Sequence, residues 1–148
     1  MLANLFKTDE GRLIMDGTLD ETLQLVRPFA SEPESPAQAK ALATLYLNYS
    51  VLVHAQAPSN ESSVREARAE MLLRDIAFML ESDSPHAGEG DVLYRALAAL
   101  GTLVSLGNEF RKKIKSGVSG TLHVVGSKPN AQMPDTKDLI AEIRDEMR

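Results

Sequence analysis

The segment from Lys40 to His54 constrains the fold most, because its apolar side chains recur with the period of an α-helix. They follow the i, i+3, i+4, i+7 spacing of a helix that buries one face in a core. They are Leu42, Leu45, Tyr46, Tyr49, Leu52 and Val53. Polar residues Lys40, Thr44 and Asn48 follow another face, beside Ala37 and Ala41. Packing alone does not require polar side chains in so apolar a helix, so this face suggests binding.

A second segment, Leu93–Val104, repeats the arrangement. Its core line is Leu93, Ala96, Leu97, Leu100, Leu103 and Val104, and its other line is Arg95, Ala98, Ala99 and Thr102. Two helices of one design predict a helical stack with a small, polar inner surface.

Arg95 and Asn48 are the polar residues on these helices that most need a partner. A partly shielded guanidinium requires an acceptor, which is either a neighbouring carboxylate or a carboxylate or carbonyl of a ligand. The Asn48 amide either satisfies nearby backbone or holds a peptide backbone in a groove. The pair Tyr46 and Tyr49 is typical of a core.

The rest of the chain also has a helical pattern. Apolar periodicity predicts five helices, over Arg12–Met15, Val64–Glu81, Val92–Leu106, Glu109–Ile114 and Lys137–Met147. A further helix is predicted to start at a capping box formed by Thr18 and Glu21 and to end near Ala30. Pro36 suits a first turn, and Asp91 and either Asp135 or Thr136 are predicted caps. Residues Gly117–Pro134 are predicted to be irregular, with an extended piece at Thr121–Val125. Pairs of roughly 40 residues fit an all-α, armadillo- or HEAT-like solenoid.

Composition excludes several classes of protein. A length of 148 residues suits one domain. The absence of cysteine excludes disulfides and thiol chemistry, and it fits a cytoplasmic or nuclear protein. No apolar run reaches the roughly 18 residues of a membrane span, and no secretory leader is evident. The net charge of −5 argues against nucleic-acid binding by bulk electrostatics.

No catalytic or metal-binding pattern is present in the sequence. His54, His86 and His123 have no ligand spacing, and neither a nucleophile elbow nor a phosphate loop occurs. The acidic pairs Asp9–Glu10 and Asp20–Glu21 lie near helix starts, where they interact with the helix dipole. The basic cluster Arg111–Lys115 is interpreted as a solvated helix end or a surface for an acidic partner. We therefore expect a protein without enzymatic activity or a cofactor.

Two strings of this sequence resemble a known family. ALATLYLNYSV at residues 41–51 and YRALAALGTLV at residues 94–104 are similar to the PUL domain, the C-terminal module of phospholipase A-2-activating protein and of fungal ubiquitin-fusion-degradation relatives. Residues Leu2–Phe6 resemble an earlier helix of that family. The resemblance covers about Leu2–Lys115 and corresponds to the C-terminal half or more of the family domain.

The resemblance implies an armadillo-like solenoid that binds the C-terminal tail of the hexameric AAA+ ATPase called valosin-containing protein, a Cdc-type unfoldase. In the family a basic groove receives that acidic, tyrosine-bearing tail. Arg95 matches the arginine of the YR motif, and Asn48 matches the motif asparagine. Lys40, Thr44 and Thr102 are assigned to the peptide site as residues of the same inner faces.

The domain organisation predicted from the sequence is a partial PUL-type domain over residues 1–116. An irregular segment and a helix over residues 117–148 then pack on it or extend from it. We expect a piece of a longer protein, as a monomer or weak dimer. One alternative is a structural spacer within a larger protein, in which Asp or Glu partners would satisfy Arg95 and Asn48. Another is a module appended to an upstream thioredoxin-like or peptidase-like catalytic domain.

Overall fold

The computed structural model describes residues 7–56 and 62–148, and within these ranges the chain is helical, without a β-strand. In chain order the helices are α1 (Asp9–Gly17), α2 (Leu19–Ser31), α3 (Pro36–Ala55), α4 (Ser62–Glu81), α5 (Gly90–Val104), α6 (Asn108–Gly126), a 3-10 turn (Pro129–Gln132) and α7 (Pro134–Glu146). The predicted all-α class is confirmed. The predicted helix at Leu2–Phe6 lies outside the described residues, as does most of the predicted break at Ala57–Ser63.

The helices stack in two layers. In the layer that we call inner, α5 lies between α3 and α7 and packs on both. In the outer layer, α4 lies between α2 and α6. The pairs α2–α3, α4–α5 and α6–α7 each cover roughly 40 residues, as armadillo and HEAT repeats do. The predicted helical solenoid is therefore confirmed.

The apolar lines predicted for α3 and α5 face the core. On α3, Tyr46, Tyr49 and Val53 are fully buried, and Leu52 is half-buried. All six core positions predicted on α5 are buried. Burial of one such large side chain stabilises the fold by about 1.5–3 kcal/mol relative to exposure.

The first two helices begin differently from the prediction, whereas α3 begins as predicted. Helix α1 begins earlier than predicted, because the Thr8 hydroxyl accepts a hydrogen bond from the Gly11 backbone N–H at 3.0 Å and caps it. The capping box at Thr18 is wrong: the Thr18 hydroxyl donates to the Ile14 carbonyl of α1, at 3.0 Å. The prediction for α3 is confirmed, since Pro36 occupies its first turn behind the cap Ser35.

One arginine connects the first helix pair, α2–α3, to the second, α4–α5. Arg65 of α4 donates through Nε to the Val53 carbonyl at 3.0 Å and through Nη2 to the His54 carbonyl at 2.7 Å. These carbonyls belong to the last turn of α3, where backbone donors are few, and the Val53 carbonyl also accepts from the Gln56 backbone N–H at 3.3 Å. Arg65 therefore fixes the end of α3 to the start of α4.

The C-terminal third departs from the prediction. Residues Gly117–Gly126 continue α6, so the extended piece at Thr121–Val125 does not exist and the predicted irregular segment is restricted to residues 127–133. Val118, Leu122 and Val125 have helical spacing and are buried. The caps are also wrong, because Glu89 rather than Asp91 precedes α5, and α7 starts with Pro134 at its first turn. The predicted division at residue 116 stays a prediction.

Helix α7 packs closely on α5 through one small residue. A Cβ placed on Gly101 would lie 3.3 Å from Cγ1 of Ile143. The absence of a side chain at Gly101 therefore lets Ile143 approach α5, and Ile140 and Ile143 are buried there. This packing places the start of α7 beside the polar line of α5.

Candidate functional site

The predicted site residues lie on the inner layer. Lys40, Thr44 and Asn48 follow one another along α3, and Arg95 and Thr102 lie on the neighbouring α5. Helices α3 and α5 are the most extensively packed pair in the described part of the chain. This packing brings Lys40, Thr44 and Arg95 together, and it places Thr44 from one motif string beside Arg95 from the other.

Arg95 is held by a hydroxyl rather than by a carboxylate. Its Nη1 donates to Oγ1 of Thr44 at 2.5 Å, and the Thr44 hydroxyl in turn donates to the Lys40 carbonyl at 2.8 Å. Within residues 7–56 and 62–148, Arg95 forms no ion pair. A guanidinium has five N–H donors. Most of the donors of Arg95 therefore remain for an acceptor from outside.

Lys40 has a carboxylate neighbour, but the pair is weak. Its Nζ lies 3.5 Å from Oδ2 of Asp91, and both side chains are more than half exposed, by 51% and 76%. Exposed pairs of this kind contribute about 0–1 kcal/mol. The ammonium of Lys40 can therefore turn to an incoming anion at little cost.

A cavity of about 650 Å³, which we call cavity A, opens between α2, α3 and Arg95. Its walls are mostly apolar. They are formed by Val26, Phe29, Ala37, Gln38, Lys40, Ala41, Leu42, Thr44, Leu45 and Arg95. Its two cations lie at the edge of an apolar surface, which suits a bulky side chain beside a carboxylate. The contribution of Val26 and Phe29 of α2 was not predicted from the sequence, because it depends on how α2 packs beside α3.

Two further cavities continue the same surface across α5. Cavity B, of about 520 Å³, lies on the other side of Arg95 and is lined by Leu47, Gly90, Asp91, Tyr94, Arg95, Ala98, Met133, Pro134, Asp135 and Thr136. Cavity C, of about 340 Å³, is lined by Ala98, Gly101, Thr102, Val104, Ser105, Leu139, Glu142, Ile143 and Glu146. Arg95 is shared by A and B, and Ala98 by B and C. The three cavities therefore adjoin one another along the inner layer, and we call them together the groove.

Thr102 and Asn48 are placed differently with respect to this groove. Thr102 lines cavity C, and its hydroxyl donates to the Ala98 carbonyl at 2.8 Å. Asn48 is half-buried but lines none of the three cavities. Its side chain makes no hydrogen bond to any residue that the structure describes. Ala99, predicted on the inner line, is fully buried instead.

The basic cluster Arg111–Lys115 lies in the first half of α6, in the outer layer. Arg111 pairs with Glu146 at 2.9 Å, Lys112 with Glu109 at 3.0 Å, and Lys113 with Glu70. The hydrogen bond to Glu70, followed by its charge, raises the pKa of Lys113. The interpretation as a cationic helix end is wrong, because positive charge near a helix start is not favoured by the dipole. Ion pairs with neighbouring glutamates therefore compensate most of the positive charge of this cluster.

The structure contains no arrangement that points to metal chemistry in its described part. No group of three or more His, Asp or Glu residues there could hold a metal ion. The carboxylates of Asp9, Glu10, Asp20 and Glu21 lie in the first turns of α1 and α2, as predicted. No helix within residues 7–56 and 62–148 is long and apolar enough to cross a membrane.

Comparison with known families gives one match. A family model described as the PUL domain matches residues 1–143. The match continues past Lys115, where the resemblance seen in the sequence ends, through α6 and most of α7. No curated protein and no solved structure matches the chain.

Proposed function

The chain belongs to the PUL domain family, and from this premise we propose that it binds the C-terminal tail of a valosin-containing AAA+ unfoldase. The PUL domain is a protein-interaction module and not a catalytic family. The proposed role is that of a non-enzymatic adaptor in ubiquitin-dependent protein degradation, acting in the cytoplasm or nucleus. The observation that carries it is Arg95, a cation without an ion pair among the described residues, placed in an open groove.

In this proposal each part of the groove has a role in holding the tail. Arg95 pairs with a tail carboxylate, and Lys40 adds long-range attraction. Cavity A receives a bulky tail side chain, since its volume lies within the roughly 300–1,000 Å³ of ligand pockets. Asn48 is proposed to bond the peptide backbone from the edge of the groove, and Thr102 lies further along it.

The charged residues contribute differently to rate and to affinity. Attraction by an exposed lysine accelerates association and is weakened by salt. A hydrogen-bonded, half-buried arginine contributes more to the lifetime of the complex. We therefore assign the larger share of the affinity to Arg95 and the larger share of the salt dependence to Lys40.

Replacement of Arg95 tests the proposal. We expect Arg95→Ala to weaken binding of the ATPase tail peptide by about 2 kcal/mol, which is roughly 30-fold in Kd. Fluorescence anisotropy of a labelled peptide measures it. Arg74→Ala is the matched control, because Arg74 is an exposed arginine of the outer layer. Equal affinities of wild type and Arg95→Ala would remove Arg95 from the site.

The alternative of a structural spacer predicts a different environment for these residues. It requires carboxylate partners for Arg95 and Asn48 and a closed inner surface. Among the described residues Arg95 is bonded only to a hydroxyl, and the groove beside it is open. These observations support the peptide-binding proposal over the spacer.

A further inference from the structure

The groove changes its charge from one end to the other. Cavity A is lined by two cations, Lys40 and Arg95, and by no acidic residue. Cavity B contains Arg95 together with Asp91 and Asp135, and cavity C contains Glu142 and Glu146 without a cation. The sign of the lining charge therefore reverses between the α3 side and the α7 side of α5.

Two of these carboxylates are free to meet a ligand. Asp91 is paired with Lys40 at 3.5 Å, and Glu146 with Arg111 at 2.9 Å. Asp135 and Glu142 are exposed, and in the described part of the chain neither forms an ion pair or hydrogen bond. The uncompensated negative charge of the groove therefore lies on α7.

The separation of the two ends can be expressed in peptide residues. Packed helices have axes about 8–10 Å apart, so that α3 and α7, on either side of α5, are separated by roughly 16–20 Å. An extended peptide advances about 3.3 Å per residue. A ligand therefore needs about five or six residues to reach from Lys40 on α3 to the carboxylates of α7, and about three to reach them from Arg95 on α5.

We propose that this charge reversal fixes the direction of the bound peptide and selects a basic side chain at its upstream end. The carboxyl-terminal, acidic end lies at Lys40 on α3, and Arg95 on α5 meets the next part of the peptide. A Lys or Arg about five or six residues before the acidic end meets Asp135 and Glu142. The inference rests on the proposed function, since it assumes that an acidic tail occupies the groove. Charge complementarity along the groove favours this occupant.

Matched peptides test this selection. Peptides of about twelve residues with the same acidic, free carboxyl end carry Lys, Gln or Glu about six residues upstream of that end. We expect the Lys peptide to bind the full chain about five-fold more tightly than the Glu peptide, with Gln between them. Moving the Lys to about two residues from the end should abolish the gain, because it then meets the cations of cavity A.

A charge reversal in the protein provides the complementary experiment. Glu142→Lys, at an exposed position in the middle of α7, should reverse the order so that the Glu peptide binds more tightly. Glu66→Lys makes the same change of charge at an exposed position of the outer layer and should keep the order of wild type. Circular dichroism of both variants confirms that they are folded.

The outcomes separate the two proposals. If the three peptides bind with equal affinity and Arg95→Ala weakens the binding of each, the proposed direction of the peptide is wrong and the proposed function stands. If Glu142→Lys keeps the preference for Lys, the assignment to α7 is wrong. If no acidic peptide binds, the proposed function fails, and the inference fails with it.

Discussion

Asp75 of α4 is a buried carboxylate that joins three helices. Its side chain is 1% exposed, and its oxygens accept from Nε of Arg27 on α2 at 3.0 and 3.2 Å. Oδ2 also accepts the hydroxyl proton of Tyr46 on α3, at 2.8 Å. Because buried charge is costly without such partners, the network fixes the relative positions of α2, α3 and α4. Two of these helices, α2 and α3, line cavity A.

Removing this carboxylate should destabilise the protein. We expect Asp75→Ala to lower the free energy of unfolding by about 2–3 kcal/mol, below the value for a fully buried pair. The expected loss is smaller than for a fully buried pair because the side chain of Arg27 is 41% exposed and can be hydrated when Asp75 is removed. Urea unfolding followed by circular dichroism measures the change. Asp138→Ala, at an exposed position of α7, is the control; equal losses in the two variants would contradict the assigned role.

The buried tyrosines predict how stability depends on alkaline pH. Burial first, and then the charge of Asp75, raise the pKa of Tyr46 above its ordinary value of 10.0, and burial also raises the pKa of Tyr49. The native state keeps these protons at a pH where the unfolded chain loses them. Stability therefore falls as the pH rises above the unfolded pKa.

Substitution of Tyr46 isolates its share of this effect. Each such tyrosine contributes a slope of about 1.4 kcal/mol per pH unit above about pH 10. We expect Tyr46→Phe to lose that share of the slope, and to be less stable near neutral pH by about 1 kcal/mol because the bond to Asp75 is absent. Urea unfolding between about pH 9 and pH 11 provides the slopes. An unchanged slope in the variant would show that Tyr46 ionises alike in both states.

The individual site residues could be predicted to different degrees. Arg95 could be predicted as a site residue because a cation in an apolar helix requires an acceptor. In the structure that acceptor is the hydroxyl of Thr44. Thr44 was predicted only as a residue of the inner face, since the contact joins two helices distant in sequence. Asp135 and Glu142 carry no local signal, because their place in the groove depends on how α7 packs on α5.

Helix α6 shows where local sequence and tertiary packing disagree. Gly117 and Gly120 weaken the intrinsic helix propensity of this segment, each by about 1 kcal/mol relative to Ala. Its β-branched residues also favour an extended conformation. Burial of Phe110, Val118 and Leu122 against the rest of the core offsets both effects. Helices α3 and α4 contain no glycine, and α5 has only Gly101 in its interior, so the positions of these helices were predicted closely.

Alanine substitutions of glycines test the continuity of α6. A Cβ placed on Gly120 meets nothing within 4 Å, so Gly120→Ala should raise the free energy of unfolding by about 0.5–1 kcal/mol. Gly101→Ala on α5 should gain less or destabilise, because its Cβ would lie 3.3 Å from Ile143. Thermal and urea unfolding provide both values. No gain at Gly120 would indicate that the segment is not helical in solution.

The described residues share one apolar core across both layers. Buried side chains from Met15 of α1 to Met147 just after α7 belong to a single cluster. The groove is built on this core, because its three inner helices are positioned by packing on their outer neighbours. No single element contains the site, which explains why a motif search recognises two of its helices and not the third.

A shared core predicts cooperative unfolding of the chain. We expect one urea transition, at the same midpoint whether followed by helical signal or by hydrogen exchange of α7 amides. A separate, earlier transition of α6 and α7 would support an independent unit beyond residue 116 instead. The comparison therefore also tests the division predicted from the sequence.

The central claim is that the inner layer binds an acidic C-terminal tail, and a nuclear magnetic resonance titration tests it most directly. Unlabelled ATPase tail peptide is added to the isotope-labelled chain, and the backbone amide shifts of every helix are followed. We predict that the perturbed amides concentrate on α3, α5 and the start of α7, around Arg95. Perturbations concentrated on α4 and α6, or none at saturating peptide, would contradict the account.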